Sequence, residues 1–258
     1  MTILSAQHLS KSFGKSKRKV IAVDDVSLTL ERASTLAIVG ESGAGKSTVG
    51  RLLLRLIEPD TGRIEFDGHS LRDLPPREMR RQRRRLQMIF QDPSTSLDPL
   101  MTVGQTLEEA FRVHFQMDRK ERLDRMHELL AQVGLGMHHA RRRPVELSGG
   151  QIQRVSIARA LACQPDVLVC DEPVSALDVS IGAQITNLLL ELQSAHGLSL
   201  VYISHDLRMV KIIADEIVVM RGGRVVESGN AAEVFHDPAS EYTRELLEAI
   251  PGNGAHRR

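Results

Sequence analysis

Gly40, Glu41, Ser42, Gly43, Ala44, Gly45, Lys46, Ser47 and Thr48 limit the fold of this chain more than any other segment, because of what flanks them. Residues 36–39 before them are continuously apolar, as in a strand buried on both faces. After them Val49, Leu52, Leu53, Leu56 and Ile57 recur at three- and four-residue spacing, which predicts a helix ending near Pro59. Buried strand, glycine-rich loop and helix, in that order, form the phosphate-cradling unit of open α/β sheets. Glycines let successive backbone N–H groups wrap an anion, and the helix N-terminus adds its dipole. The fit to G-x-x-x-x-G-K-[S/T] assigns Lys46 to the β- and γ-phosphates of a nucleotide and Ser47 to Mg²⁺.

Residues 167–170 are a second apolar run, and they end in Asp171 and Glu172. Such a strand buries its stem and presents its acids at the C-terminal end, where open α/β sheets place ligands. Asp171 is suited to hold Mg²⁺ through water. Glu172, one residue further, is suited to polarise the attacking water as general base. An apolar run before Asp-Glu is common by itself; the phosphate loop in the same chain gives it meaning.

Between these two sites lie Leu147, Ser148, Gly149, Gly150 and Gln151. With the phosphate loop before them and the acid pair after, they resemble the ordered motifs of the nucleotide-binding subunit of an ABC transporter, and the resemblance covers almost the whole chain. It implies an α/β P-loop NTPase (ABC ATPase) core with an antiparallel β subdomain and an inserted α-helical subdomain. The cassette is expected over residues 1–232, with the helical insertion at about 93–159 and a family-specific tail at 233–258. Further positions follow from the resemblance alone. Gln91 matches the loop that meets the membrane subunit and Mg²⁺, and Asp178 a loop lying across the dimer interface. His205 matches the histidine that contacts the γ-phosphate, and Phe13 the aromatic that stacks on adenine. Ser148, the Gly149 and Gly150 N–H groups and a helix starting near Gln151 would form a second anion site. ATP held at Lys46 of one protomer would then be completed by Ser148 of another.

Composition narrows the function classes. A chain of 258 residues can bury a sizeable core as one large domain, or one with a subdomain. A net charge of +1 provides no global field toward nucleic acid or anionic lipid. Arg77, Arg80, Arg81, Arg83, Arg84 and Arg85 are densely basic, but no aromatic residue interleaves to stack bases. A solvated helical face or a partner contact is expected there, and no nucleic acid. Cys163 and Cys170 read as small buried hydrophobes in a reducing compartment. The first residues turn polar too early for a signal peptide, and no run approaches the roughly 20 apolar residues that span a bilayer. The ten histidines are scattered, and His138-His139 reads as a surface loop.

Two local features resemble the oligopeptide, dipeptide and nickel importer group. One is Gln91-Asp-Pro-Ser-Thr-Ser-Leu-Asp-Pro99 with Met101-Thr-Val103; the other is the tail from His236 to Pro251, with its Pro, Tyr-Thr and Leu-Leu spacing around Tyr242. Peptide-importing relatives usually continue further, so the short tail leans toward nickel, with peptide import as the alternative. The resemblance implies ATP and Mg²⁺ as cofactors and a second ATPase subunit, alike or different. It also implies two integral membrane permease subunits, and a substrate-binding protein outside the membrane. The chain would sit peripherally at the cytoplasmic face of the cell (inner) membrane. The rivals are an exporter or lipoprotein-releasing cassette, against which the tail argues, and an ABC ATPase acting on DNA. The latter usually carries long coiled coil or zinc modules, and the 101 residues from Lys46 to Leu147 leave room only for a compact helical insertion.

Overall fold

Strand β3 (Thr35–Val39) is buried at all five positions, as its unbroken apolar run requires, and one of two structural units is laid around it. The computed structural model describes residues 1–14 and 19–250. The basic turn expected over residues 15–19 therefore falls, but for Lys19, outside the described residues, as does the chain from Pro251. The first unit takes in Met1–Met79 and Ser199–Arg258, the second Arg80–Leu198.

In the first unit β3 runs parallel to β8 (Ser199–Ser204) and β9 (Glu216–Arg221). Strand β9 returns antiparallel as β10 (Arg224–Asn230) through Gly222-Gly223, both left-handed, the backbone a two-residue hairpin demands. A separate antiparallel sheet has the order β2-β1-β4-β5. Its strands are β1 (Thr2–Phe13), β2 (Val20–Glu31), β4 (Thr61–Phe66) and β5 (His69–Ser70). Strand β2 buries Val26, Leu28 and Leu30 and exposes Ser27 and Thr29, the alternation of a half-buried strand.

Helix α1 (Lys46–Leu53) follows the phosphate loop but stops well short of Pro59, contrary to the periodicity. Arg55 takes the left-handed conformation (φ 48°) and turns its guanidinium onto the carbonyls of Leu71 and Leu74, at 2.7 and 2.8 Å. Those long-range acceptors draw the chain off the helix, and Leu56, expected on the buried face, is 42% exposed. Three short helices complete the unit: α8 (Leu207–Ile213), α9 (Ala231–His236) and α10 (Glu241–Glu248).

The second unit holds a parallel ladder of β6 (Leu86–Ile89) and β7 (Val167–Asp171), entered through α2 (Pro76–Arg85). Its remaining helices are α3 (Pro93–Ser96), α4 (Val103–His114), α5 (Arg119–Gln132), α6 (Gly149–Ala162) and α7 (Val179–His196). Capping boxes start α4, α5 and α6, through Thr102 with Gln105, Asp118 with Glu121, and Ser148 with Gln151. Leu107, Phe111, Leu129, Val133, Val155 and Ile157 form a core with no exposed surface. On α2 most arginines face solvent, while Arg84 stacks on the Phe115 ring at 4.6 Å and Arg85 pairs with Asp166. Both cysteines are buried and free. Burial pushes the Cys163 thiol up to about 11 against the opposing charges of Arg159 and Arg84, and pushes Cys170 up as well, so both stay protonated.

Candidate functional site

The phosphate loop is shaped by backbone that presses on it from two sides. A Cβ on Gly40 (φ 144°) would sit 2.1 Å from the Met220 carbonyl oxygen, and one on Gly45 (φ 99°) 2.2 Å from that of Ala22. Only glycine satisfies both the close approach and the dihedral. Lys46 is 4% exposed, and its ammonium donates to the Gly40 and Glu41 carbonyls at 2.8 Å each. A cation is thus stored inside the loop. Helix α1 begins at Lys46 with neither a side-chain cap nor an acidic residue in its first turn, so its positive end is left to an external anion. These features fit a nucleotide phosphate, with the Ser47 hydroxyl in the first turn beside it.

Strand register places His205 near this loop. Val39 is opposite Ser204 in parallel strands, so Gly40 and His205 leave neighbouring strand ends together. His205 is exposed, and Asp206 behind it caps α8 by accepting the Arg208 N–H. Hydrogen bonding from the Arg208 side chain, helped by the Arg208 N–H and charge, holds the Asp206 carboxyl below the usual range against burial. Phe13 ends β1 with 44% of its surface exposed, and the Lys11 ammonium lies over its ring, 5.7 Å from the centroid.

The second unit carries the acids. Ile89 of β6 is opposite Cys170 of β7, so Gln91 and Glu172 both lie two residues beyond a matched pair. They meet: Gln91 Nε2 donates to Glu172 Oε2 at 3.0 Å. Asp171 is 1% exposed at the end of β7, a buried carboxylate suited to a divalent cation. Glu172 holds a left-handed backbone at φ 47°, and its carbonyl accepts both the N–H and the hydroxyl of Ser175.

Ser148 is the N-cap of α6, which starts at Gly149, near Gln151 as expected. Its Oγ accepts the Gln151 N–H at 3.4 Å, and Gln151 Oε1 accepts the Ser148 N–H at 3.0 Å. Ser148 and Gly149 are exposed, whereas a Cβ on Gly150 would meet Ile181 Cγ2 at 2.9 Å. Asp178 is the exposed N-cap residue of α7, three residues before that isoleucine. His139 corrects a sequence expectation: it is 8% exposed rather than on a surface loop. Its Nε2 lies 3.3 Å from Gln151 Nε2, because the 3-10 turn Met137–Arg141 folds it inward. No spacing in the sequence marks this contact, since neither histidine belongs to an apolar period.

Strand, phosphate loop and helix, with an acid pair at a buried strand end, define a P-loop NTPase. The family profile described as ABC transporter matches residues 23–175. The oligopeptide transport ATP-binding protein OppF of Bacillus subtilis (strain 168) is 47% identical over 251 residues, 96% of this chain and 82% of that one. The dipeptide transport ATP-binding protein DppF of Escherichia coli (strain K12) is 46% identical over 243 residues, 94% of this chain and 73% of its own length. A solved ATP-binding cassette, in a dimeric post-hydrolysis state bound to ADP and phosphate, superposes with a TM-score of 0.81 at 29% identity. That match covers 89% of this chain and 99% of the cassette. The chain belongs to the ABC transporter family, as one of its ATP-hydrolysing subunits.

Proposed function

We propose that the chain energises the import of small peptides as an ATPase subunit of a membrane transporter. The observation that carries this reading is the 47% identity with an oligopeptide transport ATP-binding protein along 96% of the chain. The short tail without a cysteine leans toward nickel, but the similarity to oligopeptide and dipeptide proteins favours the alternative. Among the described residues no cluster of His, Cys, Asp or Glu could hold a metal ion as cargo. No helix among them is long and apolar enough to cross a membrane, so two permease subunits would supply the path and a substrate-binding protein the selectivity.

The proposed roles follow the chemistry of each side chain. Lys46 and the loop N–H groups hold the phosphates, His205 contacts the γ-phosphate, and Phe13 stacks on adenine. Ser47, Gln91 and Asp171 would hold Mg²⁺, which when bound offsets the phosphate charge. Glu172 takes the proton of the attacking water, its carboxylate oriented by the Gln91 amide. Ser148, Gly149, Gly150 and Gln151 of one cassette complete the site of another, and Asp178 lies across that dimer. The helical insertion at about 93–159 carries the start of α6, and the tail at 233–258 follows the cassette. Uptake of a labelled dipeptide and of nickel by cells lacking this chain tests the cargo. Loss of dipeptide uptake with nickel uptake intact is expected; the opposite pattern overturns peptide import.

A further inference from the structure

The tail spacing around Tyr242 hints at cargo, yet within the first unit the tail reaches the phosphate loop. The Glu41 N–H donates to the Tyr242 hydroxyl of α10 at 3.2 Å, across 201 residues of chain. Tyr242 is 5% exposed, and the Arg221 guanidinium lies over its ring at 4.6 Å. Arg221 ends β9, immediately before the Gly222-Gly223 turn, and the Gly223 N–H donates to the Ala44 carbonyl at 3.1 Å. The loop is therefore gripped at both shoulders, Glu41 by the tail and Ala44 by the hairpin.

Glu41 is the informative shoulder because it bonds in two directions. Its N–H goes to Tyr242 and its carbonyl accepts from Lys46 Nζ. A shift of this one residue moves an acceptor of the ammonium assigned to the phosphates. Helix α10 is a firm platform for such a hold. Leu247, Val39, Ile217 and Val219 line a cavity of only about 10 Å³. Glu227 of β10 accepts the Ala239 and Ser240 N–H groups at 2.7 and 3.0 Å, at the helix start. Burial raises its carboxyl, but hydrogen bonding from the Ala239 and Ser240 N–H groups and the charge of Arg244 hold it below the usual range. It therefore stays ionised and anchors the helix at neutral pH.

We infer that Tyr242 is a positioning residue for nucleotide binding: through its hydroxyl the tail helix holds Glu41, and with it the Lys46 ammonium, in the shape that receives phosphate. The inference rests on the phosphate-loop reading above. Tyr242→Phe keeps the ring, its burial and its stacking on Arg221, and removes only the acceptor. A neutral hydrogen bond of ordinary strength corresponds to about a three- to tenfold rise in the Kd for ATP. The full-length purified chain is expected to show that rise in Kd and KM, with kcat within twofold and an unchanged melting temperature. A merely structural role would instead lower the melting temperature and kcat while KM stayed put, and that result overturns the inference. Amide exchange of Glu41 in the unaltered protein is an independent check: protection is expected, and exchange at the rate of an open loop overturns the hold whether or not the variant folds. Lys46→Ala separates the two levels. If it weakens ATP binding and Tyr242→Phe does not, only the tail's role fails; if neither changes binding, the phosphate-loop reading itself fails.

Discussion

Glu172 keeps a left-handed backbone that costs a non-glycine residue on the order of 1–3 kcal/mol, and its surroundings offset that strain. Ser175 binds its carbonyl twice and Gln91 binds its carboxylate, so the strained turn aims the side chain rather than leaving it loose. Such placement suits a general base. Glu172→Gln preserves shape and removes the proton acceptor, so ATP turnover is expected to fall by about 10²–10⁴ with nucleotide affinity retained. Phosphate release and equilibrium binding of ATP measure the two quantities, and undiminished hydrolysis would remove Glu172 from the role. At this scale the placement of Gly40, Asp171 and Glu172 was legible, because each stands at a strand end that an apolar run announces, with Lys46 opening the helix that follows the first of them. The Gln91–Glu172 contact was not, since it depends on β6 and β7 pairing with Ile89 opposite Cys170, and no local spacing encodes which strands become neighbours. The inward turn of His139 onto Gln151 was hidden for the same reason.

Elements were read best where burial is uniform. The apolar runs at residues 36–39 and 167–170 predict buried strands, and β3 and β7 are buried throughout. The end of α1 was misread because Arg55 answers to carbonyls 16 and 19 residues away, beyond any helical period. The start of α6 is set by its capping box and by a tight seat on α7, where glycine at 150 meets Ile181. Two effects oppose each other if alanine replaces Gly150. Alanine favours a helix by about 1 kcal/mol, while an extra methyl 2.9 Å from Ile181 Cγ2 overpacks the seat at a cost of about 1–3 kcal/mol. The second effect wins, so Gly150→Ala should destabilise the chain by up to about 2 kcal/mol. In an Ile181→Ala background the clash is gone, and the same change should become neutral or stabilising. Denaturant unfolding of the four proteins gives the coupling; equal losses in both backgrounds would show that Ile181 is not the obstacle.

For the whole molecule the question is what meets the start of α6. Ser148 and Gly149 are exposed, and the first turn of α6 carries no acidic side chain to compensate its dipole. About half a positive charge is therefore presented outward, ready for an anion that another copy or a sister subunit would carry in. If that anion is the terminal phosphate of ATP, nucleotide favours the closed dimer by its differential affinity for closed and open states, and hydrolysis withdraws the preference. Glu172→Gln should then form a dimer with ATP that ADP does not support, seen as a change in mass by light scattering after size exclusion. Adding Ser148→Arg places a long side chain where the phosphate must enter and should abolish that dimer, although its charge alone would attract the anion. The same change removes the α6 cap, worth about 1 kcal/mol, so Ser148→Ala is the control: it loses the cap and the hydroxyl without adding bulk, and it should weaken the dimer far less than arginine does. ATP affinity of the monomer should be equal in all three if its phosphates rest on Lys46 and not on Ser148. A dimer that survives Ser148→Arg, or a monomer that loses ATP along with dimerisation, would place Ser148 outside a shared site.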